Sequence, residues 1–285
     1  MKWILPSLLA GLVLWAGAST CRADEPTGGN LVPDEQLRAV LLELKQHRTG
    51  SADALTEDDL KNVYVLHAQG RGIKDLSGLE HCRNLGEARF SNNAIVDVGP
   101  LASCKKLQSL DLAHNQIVDV APLGKIEKLQ YLNVEDNKIA SLTGLEPLVK
   151  LNSLYAAHNE IASLEPAAQL TGLWTLDLDH NRVSDTAPIA ALERLTSLGL
   201  AHNEIESVAK LPRGNGTFKT YLQGNRISDV APLVAMAADD ANGEKRFVTF
   251  WWLYLGGNPI AQDDPSQQLA ELEKLGVRVE LELDR

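Results

Sequence analysis

Cysteine is scarce in this chain: three in 285 residues, at positions 21, 82 and 104. So few exclude the dense disulfide scaffold of a small secreted domain. No Cys-x-x-Cys pair, Gly-x-Ser-x-Gly elbow, His-Glu-x-x-His helix or glycine-rich phosphate loop occurs. The common thiol-exchange, hydrolase, metalloprotease and nucleotide-binding signatures are therefore missing, and no enzyme is expected. Positive charge is also in deficit, with 27 Lys and Arg against 38 Asp and Glu and a net charge of −11. That balance argues against nucleic acid or an anionic membrane as partner and suits one with a basic face. Aromatic residues make up only 5 % of the chain, so their placement carries information.

Long apolar runs are lacking apart from Ile4–Ala18, which is too short to span a bilayer. With Lys2 before it and small residues after, it reads as an export signal cleaved after Ala23. Removing the two positive charges of residues 1–23 from a net of −11 leaves −13 on the mature chain. The alternative is a lipoprotein signal, with Cys21 as the lipidated first residue. A secreted or periplasmic protein is expected in the first case and an anchored one in the second; no transmembrane segment is expected in either.

Asparagine recurs every 22 residues, at Asn93, Asn115, Asn137, Asn159, Asn181, Asn203 and Asn225. Apolar residues stand eight, five and three places before each of the first six and two after, as Leu107, Leu110, Leu112 and Ile117 do around Asn115. A first repeat of Val63, Leu66, Ala68 and Ile73 carries Arg71 in place of asparagine, and a ninth has Phe250, Leu253, Leu255, Asn258 and Ile260. Such a period is the signature of a leucine-rich-repeat solenoid. The alternation between the first and third leucine predicts a short strand, and stacked repeats then form one parallel sheet. Each asparagine ends its strand and turns inward, where its amide both donates and accepts. That column is scaffold.

Asp or Ser follows four places after the asparagine and Pro three places later, as at Asp97 and Pro100 or Asp119 and Pro122. A capping side chain followed by proline predicts a short helical or 3₁₀ turn on the convex side. Residues Ile95–Gln116 and Ile227–Leu233 resemble the 22-residue repeat class of bacterial internalins and phosphatase-regulator leucine-rich proteins, over residues 63–260. The resemblance implies a right-handed α/β solenoid with its parallel β-sheet on the concave face. It also implies protein or peptide binding, or docking onto an enzyme as a regulatory subunit; a structural envelope component without a specific ligand is the third reading.

Expected boundaries are an export signal over 1–23, a disordered linker over 24–32, a helical cap over 33–62, nine repeats over 63–262 and a helix–strand cap over 263–285. Asp34 before Leu37 and a Thr56–Asp59 capping box predict the two helices of the first cap. Asn225 and Asn258 are 33 residues apart, which places an 11-residue insertion near 234–247, on the convex side or an edge.

The outward strand positions are the candidate partner-binding residues. Six places before the asparagine lie Tyr131 and Trp252; four before lie Arg89, Asp111, Asn133, Tyr155, Asp177, Tyr221 and Tyr254; two before lies Asp179. Tyr and Trp on an exposed face are the residues that dominate interface energetics. His114, His158, His180 and His202 occupy the position just before the asparagine, the last three on consecutive coils. Neither a metal nor a cofactor is expected. Cys82 and Cys104 share one inward column in adjacent repeats, a spacing that fits two buried thiols or a disulfide. A monomer is expected.

Overall fold

The structure, a computed structural model, describes residues 31–51, 53–260 and 265–282. The expected export signal, Cys21 and most of the expected linker lie outside them. Ten strands form one parallel sheet in chain order: β1 Val65–His67, β2 Glu87–Arg89, β3 Ser109–Asp111, β4 Tyr131–Asn133, β5 Ser153–Tyr155, β6 Thr175–Asp177, β7 Ser197–Gly199, β8 Phe218–Tyr221, β9 Trp251–Tyr254 and β10 Arg278–Glu280. The register advances by one repeat per strand, so Tyr131 pairs with Ser109 and Ser153, and Asn133 with Asp111 and Tyr155. The middle residue of each short strand points inward, and Leu66, Ala88, Leu110, Leu132, Leu154, Leu176 and Leu198 are all fully buried.

The asparagine column holds the coils together. Asn159 donates from Nδ2 to the carbonyls of Ala156 and Ala157 in its own coil and of Val134 in the preceding one. Its Oδ1 accepts from the Ile139 N–H of that preceding coil at 3.0 Å. The bond to the preceding coil's N–H recurs at Asn115, Asn137, Asn181 and Asn225. These are backbone groups that the turn leaves without strand partners, and a buried unpaired one costs about 1–3 kcal/mol.

The convex side is built from 3₁₀ turns such as Gly99–Ser103, Ala121–Lys125 and Glu165–Gln169, each with proline in its first turn. Their entry is fixed by an Asx turn: Asp97, Asp119 and Asp185 accept from the N–H two residues on, at 2.7, 2.8 and 2.8 Å. The carboxylate thus acts one residue ahead of the formal N-cap.

The 11-residue insertion is absorbed where such a turn belongs. Ala231-Pro232-Leu233 starts as the 3₁₀ turns do but continues as a 12-residue α-helix, α3 (Ala231–Asn242), which buries Leu233, Met236 and Ala237. Its buried Asp240 accepts from the N–H groups of Arg246, Phe247 and Val248, which folds the chain back toward the sheet. Burial pushes the Asp240 carboxyl up, but those three bonds outweigh it and hold the group below its ordinary range.

Two expectations need correction here. Phe250 was expected inward in the ninth repeat, yet it is 56 % exposed, and Trp251 is fully buried in its stead. β8 and β9 each have four residues, not three, so Phe218 and Trp251 pair in register and fill the core together with Phe247. The Trp251 Nε1–H bonds Thr220 Oγ1 at 2.9 Å, which satisfies both buried polar groups. The second concerns the linker: at its last two positions, Leu31 packs against the core and Val32 is fully buried, so the chain is ordered there.

Helix α1 (Glu35–Thr49) and helix α2 (Glu57–Lys61) precede the first coil. Asp34 ties α1 to it: one carboxylate oxygen caps the helix through the N–H groups of Gln36 and Leu37, and the other accepts from Lys74 and Asp75. At the other end α4 (Pro265–Lys274) buries Leu272, and β10 closes the sheet against β9.

Asn159→Ala should lower the unfolding free energy by about 3 kcal/mol, because it strands backbone groups of two coils at once. Urea denaturation measures this, and a loss below about 0.5 kcal/mol would remove the asparagine column from its structural role.

Candidate functional site

The concave face carries the outward residues of the ten strands, and its character changes along the stack. At its start, the Glu87 carboxylate takes both the His67 ring and the Arg89 guanidinium, each at 2.9 Å. His67 first and Arg89 after it hold the Glu87 carboxyl below its usual range. Arg89, expected to face a partner, is therefore already paired within the sheet.

In the middle stand Asp111, Tyr131, Asn133, Tyr155 and Asp177, all half-buried. Tyr131 and Tyr155 lie diagonally on β4 and β5 with ring centroids 5.6 Å apart and planes tilted by 45°. Asp111 is diagonal to Tyr131 on the other side. Burial, and then the Asp111 charge, push the Tyr131 phenol up. Asp111, Asn133 and Asp177 share a local duty that explains their chemical type. Each Oδ1 accepts from the N–H two residues on, at 3.1, 3.0 and 3.2 Å, and so closes its strand.

Asp179 was expected on this face and is instead 7 % exposed, with Oδ1 accepting the Ala201 N–H at 2.8 Å. Its carboxylate is turned into the joint between two coils. Gly199 makes room for it, since a Cβ there would lie 2.5 Å from Asp177 Oδ1 and 2.7 Å from Asp179 Oδ1.

At the far end Tyr221 and Tyr254 stack at 4.6 Å, nearly parallel. Trp252 carries the Arg278 guanidinium 4.5 Å above its ring. The two aromatic groups lie about 20 Å apart along the sheet, four strand spacings from Tyr131 to Tyr221.

The residue before each asparagine adopts a left-handed backbone, with φ of 54° at His114, 53° at His158, 54° at His180 and 54° at His202. Histidine, asparagine and aspartate tolerate that conformation better than most residues, which explains the column's composition. Its consequence was not legible in the spacing: His158, His180 and His202 stack as parallel rings, 4.2 Å between successive centroids. Gly224 ends the stack, because a Cβ there would meet the His202 ring at 2.5 Å. Burial first, then the neighbouring His158 and His202, lower the His180 pKa against the opposing pull of Asp177. Among the described residues, no group of three or more His, Cys, Asp or Glu side chains is placed to hold a metal ion.

Cys82 and Cys104, for which two buried thiols and a disulfide were both open, stand as free thiols in the structure, both fully buried. Burial pushes each thiol up to about 12, and Cys104 Sγ lies 3.3 Å from the Leu79 carbonyl as a weak donor. Among the described residues no helix is long and apolar enough to cross a membrane.

Residues 87–125 and 105–147 match a family profile described as leucine-rich repeats in two copies. No curated protein sequence matches the chain. An internalin of Listeria monocytogenes, InlF, is 28 % identical with a TM-score of 0.72, over 90 % of this chain and 71 % of that one. Internalin C2 of the same species is 26 % identical with a TM-score of 0.62, over 88 % of this chain and 95 % of that one. The functional domain of InlJ from Listeria monocytogenes, described as including a cysteine ladder, is similar in fold at 20 % identity and a TM-score of 0.55, covering 86 % and 54 %. The architecture is that of an internalin-like leucine-rich-repeat solenoid.

The lowered His180 pKa means that protonation favours the unfolded chain. Its contribution is complete above the ordinary histidine value of 6.5 and is lost as pH falls through that value toward the folded one. His180→Asn, which suits the left-handed backbone, should therefore shrink the drop in Tm between pH 7.5 and pH 5; an unchanged drop would contradict the stack's role. In the chain lacking residues 1–23, a thiol reagent should find no reactive cysteine in the folded protein and both after denaturation. A denatured titre below two would contradict the free thiols.

Proposed function

We propose that this internalin-like solenoid is a non-catalytic binding protein that takes a protein or peptide partner on its concave sheet. What carries the reading is the placement of scarce aromatic side chains: four of the five tyrosines in the chain, Tyr131, Tyr155, Tyr221 and Tyr254, face outward on that sheet with Trp252. Tyrosine and tryptophan bury large area at small entropic cost and anchor interfaces more than other residues do. The outer end of β6 adds Asp177, and β4 adds Asn133. Arg89 serves at the rim through its pair with Glu87, and Asp179 supports the surface from below.

The charge of the chain favours a partner with a basic face and speeds its approach. An export signal over residues 1–23 places the protein in the cell envelope or outside the cell, with lipid anchoring at Cys21 as the variant form of the same location. The protein acts as a monomer, since a sheet face open along its length needs no second copy to present it.

Tyr155→Ala and Tyr254→Ala should each weaken a partner captured from the native envelope fraction by about tenfold. Both should keep Tm within about 2 °C of the parent, because the rings rest on the surface of the sheet and not in its core. Titration of the purified partner against each variant measures this. Parent-like affinity in both would remove the concave face from the interaction.

A further inference from the structure

We infer that Tyr131, Tyr155 and Asp111 form a subsite for a guanidinium, so that the concave face takes a peptide segment bearing arginine. The inference rests on the concave-face reading above and goes further by naming the chemistry of the group that is bound.

Tyr131 lies at the centre, diagonal to Asp111 on β3 and to Tyr155 on β5. The tilted pair offers two π-faces at different angles on neighbouring strands, both half-exposed. Asp111 commits Oδ1 to the Ala113 N–H, while its Oδ2 makes no hydrogen bond or ion pair among the described residues. Charge on the sheet is unbalanced at this point. Glu87 absorbs both His67 and Arg89, and from β3 to β7 the outward strand positions hold no lysine or arginine at all. Arg89 stands opposite Asp111 in register but turns its guanidinium to Glu87, and the Asp111 charge is, after burial, among the causes that push the Tyr131 phenol up.

An aromatic face beside a carboxylate is complementary to a cation, which gains from the ring quadrupole and the charge together. Arginine fits better than lysine, because a planar guanidinium stacks on a ring while its N–H fork meets a carboxylate. Acidic segments would meet the negative sheet and the negative chain at once.

The test uses the whole chain and a fluorescent peptide of alternating arginine and serine, with a second peptide carrying citrulline in place of arginine. Citrulline keeps the shape and loses the charge. At physiological ionic strength, where exposed charges are screened beyond about 8 Å, fluorescence anisotropy should show the arginine peptide binding about tenfold or more tighter than the citrulline one.

Asp111→Asn removes the charge and keeps the strand-closing bond, as Asn133 shows one coil on by accepting the Glu135 N–H at 3.0 Å. It should weaken the arginine peptide severalfold, about as much as Tyr131→Ala. Asp119→Asn makes the same charge change on the convex side and should leave binding unchanged. Equal binding of the two peptides, or equal effects of Asp111→Asn and Asp119→Asn, overturns the guanidinium subsite. If the envelope partner is still lost in Tyr155→Ala under that outcome, the concave face stands and only its cation specificity falls. Parent-like binding of both peptide and partner by Tyr155→Ala overturns both.

Discussion

Each coil is tied to the one before it by the amide of a single asparagine, and the rest of the molecule follows from where that amide must sit. Asn159 reaches carbonyls in two coils and accepts an N–H from the earlier one, so coils cannot slide or turn relative to each other without breaking several buried bonds. The bond repeats at fixed spacing, so the strands advance in constant register and the leucines at five and three places before it line a continuous core. A one-residue slip would turn that core outward. The amide also sets the left-handed residue just before it, and through it the histidine stack.

The same ruler explains what could be read in the residues and what could not. The strands, their faces and the outward tyrosines were legible because a period-two strand inside a 22-residue repeat assigns each side chain a direction. The convex turns were legible through Asp and Pro. Other features depend on contacts between coils that spacing does not encode. Asp179 looks like any outward acid until the Ala201 N–H above it is placed. Trp251 displaces Phe250 from the core because β8 and β9 gain a residue, and Phe218, Phe247 and Trp251 pack on one another there. The inserted residues were visible as a break in the ruler. Their helical form was not, since it comes from extending an Ala-Pro-Leu turn that elsewhere stops after one turn.

On the concave face, structural duty and recognition share residues. Asp111, Asn133 and Asp177 close their strands with one oxygen, and that duty alone accounts for their type. The tyrosines are the aromatic members of this face. They stand on the one surface that presents many coils at once, with the positive charges of the first coils neutralised by Glu87 and those of the last set against Trp252. A long partner would meet an acidic aromatic centre first and a second aromatic group about 20 Å further on. Two anchors at that separation select for a segment able to span both.

The central claim is that the asparagine register sorts the residues of every coil into a face that meets the partner and a face that does not. Site-specific photo-crosslinking tests it most directly, with a photoreactive side chain placed in turn at Asn133 and Ser153 on the concave strands and at Asp119 and Ser141 on the convex turns. The account predicts crosslinked partner from the first two positions and none from the last two. Crosslinks that come equally from both faces, or from the convex positions alone, would contradict it.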